Sequence, residues 1–191
     1  MRRLGLYGGS FDPVHLGHLL VARAALEELG LDAVAFIPAA RSPFKPSAAP
    51  APDALRLRWL RMALAGEPRF LLDDVELRRG GTSYTVDTVR DVMARHPGAE
   101  LSWLIGADHV PTLPKWREAP ELARLVEFVV IPRPGSLPWE APGPFRVREL
   151  RGWPLAVSSS LVRERIRAGL PVSHLVPPHV GEALRESRAY A

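Results

Sequence analysis

The stretch LGLYGGSFDPVHLGHLL, Leu4 to Leu20, decides the fold. Its first residues, Leu4 to Tyr7, form a short apolar run bounded by glycine, the pattern of a buried strand. Gly8 and Gly9 follow at once. Paired glycines after a strand let the backbone turn sharply and let a ligand come close to the main chain. Asp12-Pro13 is a turn and helix-start signal. From Leu16 the apolar positions Leu19, Leu20, Ala24 and Leu26 keep a helical period up to Gly30. A strand therefore runs through a glycine turn into a helix whose N-terminus faces the end of that strand.

A helix N-terminus carries unpaired N–H groups and a partial positive charge, which makes it an anion site. His15 and His18 fall in the first turn, three residues apart and so on one face, with Gly17 between them keeping that surface open. Donors beside a helix N-terminus suit a phosphate that gains charge during reaction. The competing readings are a helix start that merely carries two histidines, and a metal site. No cysteine and no nearby third ligand support the metal.

The 191 residues suffice for one domain with a proper core, and no internal repeat or boundary is visible, so a single domain over 1–191 is expected. Hydrophobic residues make up 47% and charged residues 24%, an ordinary globular profile. No apolar run approaches the roughly 20 residues of a membrane span, and no secretory signal precedes the first strand. A cytoplasmic protein with no membrane partner is the expectation. The absence of cysteine excludes disulfides, thiol catalysis and thiolate metal sites. The net charge is +4, but the arginines are scattered with no basic run interleaved with aromatics, so nucleic acid is not the expected partner.

Ala33 to Ile37 reads as a second buried strand. Strand, helix, strand in this length is a βαβ unit with a right-handed crossover. The loop Pro38 to Pro52 is long enough to suggest function, although its Arg41-Ser42-Pro43-Phe44-Lys45-Pro46 reads by itself as a proline-stiffened surface. Asp53 is placed as N-cap of a helix Ala54–Ala65 whose apolar face is Leu57, Leu60 and Leu64. Phe70–Leu72 and Val75–Leu77 read as short strands. Ser83-Tyr84-Thr85-Val86-Asp87-Thr88 opens a helix with Val86, Val89, Val92 and Met93 on one side. Glu100–Ile105 is a third clear strand, ending in Gly106-Ala107-Asp108. A carboxylate just past the end of a parallel strand sits where open α/β sheets bind ligands. Asp108 can accept from ribose hydroxyls there, or cap the next helix. Leu125–Ile131 is a fourth strand. Pro138 to Pro154 gives only a short strand at Phe145–Arg148. Ser158, Ser159 and Ser160 precede a helix whose first turns carry Arg163, Arg165 and Arg167, where positive charge opposes the macrodipole unless an anion binds.

Gly8 through His18, GGSFDPVHLGH, resembles the signature of the nucleotidyltransferases with an H-x-G-H motif. Within that superfamily the chain is similar to the nicotinate-nucleotide adenylyltransferases. The likeness continues through Lys45, through S-Y-T-V-D-T at 83–88, through Gly106-Ala107-Asp108 with Trp116, through Pro132-Arg133-Pro134-Gly135, and through Ser158 to Arg163. The departures are Ser10 and Ser160 where the family has threonine, Val14 and Val162 where it has isoleucine, and Phe44 where it has histidine. The resemblance implies a Rossmann-like, doubly wound α/β fold with a mostly parallel sheet and helices on both faces. It implies adenylyl transfer from ATP to nicotinate mononucleotide, giving deamido-NAD and pyrophosphate. It implies catalytic roles for His15, His18, Lys45 and Arg163. ATP would be met by Gly8, Gly9, Ser10, Phe11, Gly17, His18, Gly106, Asp108, Ser158, Ser159, Ser160 and Arg163. The mononucleotide would be met by Tyr84, Thr85, Arg133 and Trp116, the last stacking on the nicotinate ring. Mg²⁺ would be bound mainly through the ATP phosphates, with no protein metal site. A homo-oligomer is compatible with this reading.

The nearest rivals are other H-x-G-H transferases, acting on nicotinamide mononucleotide, phosphopantetheine or glycerol phosphate. The last two types lack the S-Y-T-x-D-T and GAD…W elements. Nicotinate and nicotinamide differ by one small group, so at this stage acid and amide both stand. A non-catalytic nucleotide-binding regulator is the rival of another class, and the intact histidines count against it.

Overall fold

The computed structural model describes residues 1–44, 50–131, 135, 138–153 and 155–190. Six strands among them form one sheet, every neighbouring pair parallel: β1 (Arg3–Gly9), β2 (Ala33–Pro38), β3 (Phe70–Leu72), β4 (Glu100–Gly106), β5 (Glu127–Ile131) and β6 (Val147–Glu149). Their order is β3-β2-β1-β4-β5-β6, that of the doubly wound dinucleotide folds. Helices α1 (Leu16–Glu28), α2 (Asp53–Leu64), α3 (Val75–Arg79), α4 (Thr85–Arg95), α5 (Ala119–Leu125), α6 (Ser159–Arg167) and α7 (Pro178–Ser187) connect or follow the strands.

The strands are apolar on both sides because both faces are covered, as parallel sheets require. Every residue of β2 is buried. Val34 and Phe36 join one core with Leu26 of α1, Trp59 and Leu60 of α2 and Leu184 of α7. Ala33, Ala35 and Ile37 join the other, with Val89 of α4 and Leu122 of α5. Each fully buried Val, Leu or Phe contributes roughly 1.5–3 kcal/mol, so this alternation locks the register of the central strands.

Several local expectations are corrected. Val75–Leu77 is not a strand but the start of α3. The Asp73 carboxylate accepts from the Val75 N–H at 3.1 Å, and Gly80, at φ 69°, ends the turn. A run that short does not separate helix from strand by periodicity. Asp53 is the first residue of α2 rather than its cap, a place taken by Pro52. The buried face of α2 centres on Arg56, Trp59, Leu60 and Leu64, with Leu57 at its half-buried margin. Met93 faces outward, while Thr88 takes a buried place on α4. β6 lies at Val147–Glu149, and Phe145 packs into the core just before it. After β4 the chain forms a 3-10 helix, Ala107–Lys115, because Pro111 and Pro114 lack the N–H that an α-helical ladder needs. Gly106 stands at its cap position, so Asp108 is not a cap. No helix among the described residues is long and apolar enough to cross a membrane.

Candidate active site

β1 lies between β2 and β4, and the chain leaves β1 towards one half of the sheet and later returns to build the other. That reversal opens a crevice beyond the C-terminal strand ends, where sheets of this kind bind ligands. The loop after β1 and the 3-10 helix after β4 both start there.

The turn out of β1 is built differently from the glycine turn expected. Gly8 and Gly9 stay in the strand. A Cβ on Gly8 would lie 2.7 Å from the Trp103 ring, and one on Gly9 3.2 Å from the Phe11 ring. These glycines are there for close packing. The left-handed residue is Phe11, at φ 45°. Its ring is buried against Tyr7, Phe36 and His18, at centroid distances of 5.6, 5.6 and 5.0 Å. Any contact of Phe11 with a nucleotide therefore falls to its backbone.

His15 is the N-cap of α1 and His18 its third residue. The rings stack 3.6 Å apart, His15 buried and His18 half-buried. The His18 Nδ1 accepts the His15 N–H at 3.1 Å. A neutral His18 ring then carries its proton on Nε2, which makes Nε2–H its remaining donor. The Leu16 N–H donates to the Leu175 carbonyl at 2.9 Å. The His18 N–H donates to the His15 carbonyl at 3.0 Å, so two of the first amides of α1, those of Leu16 and His18, are already used. A Cβ on Gly17 would meet Val157 at 2.8 Å and His15 Nδ1 at 3.1 Å, so Gly17 admits close packing and is not simply open surface.

Asp12 joins three separate parts of the chain. Its buried carboxylate accepts from the Ala51 N–H at 3.0 Å and the Tyr190 hydroxyl at 2.5 Å, and lies 3.6 Å from the Arg163 guanidinium. Burial, then the Asp12 carboxylate, push the Tyr190 phenol well above its ordinary pKa. Arg163 also donates to the Asp12 carbonyl at 2.7 Å and to the Ser160 hydroxyl at 3.1 Å. Arg163 is the fifth residue of α6, beyond the first turn, where the macrodipole has largely decayed. The expected conflict with the dipole is correspondingly weak. Ser158 caps α6, accepting from the Leu161 N–H at 3.1 Å, and the Ser159 hydroxyl donates to the Pro13 carbonyl at 2.9 Å. The start of α6 is thereby pinned to the loop after β1.

Arg56 is the residue that sequence reasoning missed. Its side chain is fully buried. It donates to the carbonyls of Ala51 at 3.2 Å, Ser10 at 2.7 Å and Ala39 at 2.8 Å, and pairs with Asp53 at 2.5 Å. One guanidinium thus ties the loop after β1 to both ends of the loop after β2. The available signal was an arginine on the apolar face of α2, three and four residues before Trp59 and Leu60.

On the other side of the crevice, Asp108 is exposed and lies 3.8 Å from the His109 imidazole. The Trp116 indole donates to the Thr112 hydroxyl at 3.2 Å. Its ring meets Phe44 at 5.3 Å and Phe128 at 5.8 Å, and Phe44 meets His109 at 5.0 Å. Phe44 is 48% exposed. Tyr84 is the N-cap of α4 and lies under the Arg117 guanidinium at 4.7 Å, with Thr85 the first helical residue. Lys45 and Arg133 lie outside the described residues.

The family model for cytidylyltransferase-like proteins matches residues 6–165, which span all of these candidate residues from Gly8 to Arg163. A probable nicotinate-nucleotide adenylyltransferase of Opitutus terrae is 42% identical over 98% of this chain and 97% of its own length. That of Geobacillus kaustophilus is 43% identical over 100% and 87%. The chain belongs to the cytidylyltransferase-like family, among its nicotinate-nucleotide adenylyltransferases. The fold agrees. A Plasmodium falciparum nicotinic acid mononucleotide adenylyltransferase, solved in complex with NaAD, superposes with TM-score 0.81 at 17% identity, covering 100% of this chain and 98% of that one. As a cytidylyltransferase-like protein, the chain keeps the histidine pair at the switch point of its sheet and places Phe44, its departure from the family pattern, against Trp116.

Proposed function

We propose that this chain transfers the adenylyl group of ATP to nicotinate mononucleotide, giving deamido-NAD (nicotinate adenine dinucleotide) and pyrophosphate in NAD biosynthesis. The observation that carries the reading is 42% identity along 98% of the chain to a probable nicotinate-nucleotide adenylyltransferase. The geometry supports it, with paired imidazoles and a serine-arginine helix start meeting at the β1/β4 crevice. One nucleotidyltransferase domain over 1–191, in the cytoplasm, is the corresponding organisation.

A phosphate oxygen of the mononucleotide attacks the α-phosphorus of ATP in line. One P–O bond forms as the bond to the pyrophosphate breaks, and the leaving group takes the electron pair. Positioning and charge stabilisation carry such transfers, with no covalent enzyme intermediate. His18 donates from Nε2 to the phosphate oxygens, with its ring orientation fixed by the His15 N–H. His15, Lys45 and Arg163 add positive charge or donors around the same phosphates. Gly8, Gly9, Ser10, Phe11 and Gly17 present backbone to the adenylyl group, and Gly106 and Asp108 lie towards its ribose. Ser158, Ser159 and Ser160 meet the phosphate chain. Tyr84, Thr85, Trp116 and Arg133 hold the mononucleotide. Imidazoles, hydroxyls and a guanidinium suit phosphate oxygens, and Mg²⁺ favours oxygen ligands. When bound through the ATP phosphates it would supply further charge neutralisation.

Pyrophosphate release measured with ATP and each of several acceptors tests the reading. Nicotinate mononucleotide should turn over fastest. Faster turnover with nicotinamide mononucleotide, phosphopantetheine or glycerol phosphate would overturn it.

A further inference from the structure

The nucleotide-transfer reading makes no use of Glu76. This carboxyl is 3% exposed on α3, a helix with no residue in the proposed machinery. It ends a directed hydrogen-bond chain. The Arg79 guanidinium donates to the Thr88 hydroxyl at 2.8 Å, and that hydroxyl donates to Glu76 at 2.6 Å. Just before α4, the Ala40 N–H donates to the Ser83 hydroxyl at 3.0 Å. Ser83 makes a second tie, its N–H donating to the Arg41 carbonyl at 2.9 Å.

These ties meet on three segments. Ala40 and Arg41 open the loop that leads to Phe44. Ser83 immediately precedes Tyr84 and Thr85. Thr88 lies one turn further along α4. The Thr88 hydroxyl gives its proton to a buried carboxylate, so it cannot turn away without stranding a polar group in the interior, which is costly.

Resting on the adenylyl-transfer reading, we propose that Glu76 is a positioning residue for the acceptor: it fixes the start of α4, with Tyr84 and Thr85, against the loop that carries Phe44. It touches no substrate and acts through Thr88, in the first turn of the helix that Ser83 ties to the loop. The neighbouring donor side of the crevice is braced by Arg56 and Asp12, whose bonds reach neither α3 nor α4, so loss of Glu76 should be felt by one substrate and not the other.

The test is steady-state kinetics of full-length Glu76→Gln, Thr88→Val and Thr88→Ser with both substrates varied. Glu76→Gln and Thr88→Val should raise the KM for nicotinate mononucleotide about tenfold, the scale of one lost hydrogen bond to a charged group. The KM for ATP should stay within about twofold of wild type. Thr88→Ser keeps the hydroxyl and should behave as wild type, which a role of Thr88 in packing alone would not produce. Equal rises in both KM values, no change in either, or a Thr88→Ser as impaired as Thr88→Val would each overturn the proposal. Backbone hydrogen exchange of ligand-free Glu76→Gln supplies a readout that needs no turnover. Exchange should quicken at 40–44 and 83–88 and stay unchanged at 10–18. Uniform quickening, or none, would refute the positioning role even if the acceptor were misidentified. A wild-type enzyme inert with nicotinate mononucleotide would instead refute the function.

Discussion

The two sides of the crevice are held by different means. The donor side, the loop from Ser10 to His18, is tied from beneath by a buried cation and a buried anion. Arg56 holds three carbonyls of two loops, and Asp12 collects an amide, a phenol and a guanidinium. The acceptor side presents aromatic rings in contact with one another. Phe44 leans on Trp116 and His109, and Tyr84 lies beneath Arg117. Polar ties fix geometry to a few tenths of an ångström, whereas ring contacts tolerate sliding. A donor side set before ligand arrives suits a reaction that depends on alignment and on preplaced donors. Under the proposed function, an acceptor side of rings would suit a flat heterocycle.

The largest effect should come from Arg56, and it is the sharpest way to break this contrast. Arg56→Ala removes one buried cation and leaves the carbonyls of Ser10, Ala39 and Ala51 without it. A loss of about 3–5 kcal/mol is the scale for breaking such a buried charged assembly. Trp116→Ala on the acceptor side should cost clearly less stability and appear instead in the KM for the mononucleotide. Denaturant melts of the two variants compare them directly, and equal destabilisation would erase the distinction.

His18→Ala should lower kcat by about 10²–10³, the cost of one preorganised donor to developing charge, with the melt little changed. A kcat near wild type would remove His18 from the charge-stabilising role.

Arg163 sharpens the comparison because it belongs to both functions at once. It supports Asp12 in the ligand-free protein and is proposed to meet ATP phosphate. Arg163→Ala should cost about 1.5–3 kcal/mol of ligand-free stability, the scale of hydrogen bonds to charged groups. It should also remove most of the stabilisation that ATP gives by mass action. A large loss of ligand-free stability with the ATP-induced rise in Tm intact would assign it a structural role alone.

The smallest effect concerns pH. Burial pushes the Glu76 carboxyl above its ordinary value of 4.5, against the pull of the Thr88 and Ser83 hydroxyls and Arg79, while Asp73 adds to the rise. The folded chain thus binds that proton more tightly than the unfolded chain. The group favours the fold most below about pH 4.5, and its contribution falls as pH rises through the raised folded value. Urea midpoints across that window should decline less with pH in Glu76→Gln than in wild type. Parallel declines would assign the pH dependence to other carboxyls.

The sheet was legible because its strands are apolar on both faces and separated by glycine, proline and helical periods. The histidine pair, the S-Y-T-V-D-T helix start and the Ser158–Arg163 helix were legible because each is contiguous. Arg56, Asp12 and Tyr190 were not read as partners, because the contact between residues 12 and 190 leaves no local pattern. The role of Gly8 was misread for a similar reason. A glycine that makes room for a tryptophan on the neighbouring strand looks, in one dimension, like a glycine that makes a turn. The first strand-like reading of Val75–Leu77 failed on length alone.

Hydrogen exchange of the wild-type protein, ligand-free and with a non-hydrolysable ATP analogue or nicotinate mononucleotide, tests most directly whether the donor side is built in advance and the acceptor side completed by ligand. Amides of 10–18 should be protected before any ligand is added and change little with the analogue, while the partial protection of 40–44, 83–88 and 109–116 rises further with the mononucleotide and not with the analogue. Weak protection of 10–18 in the free protein, rising steeply with the ATP analogue, would contradict it.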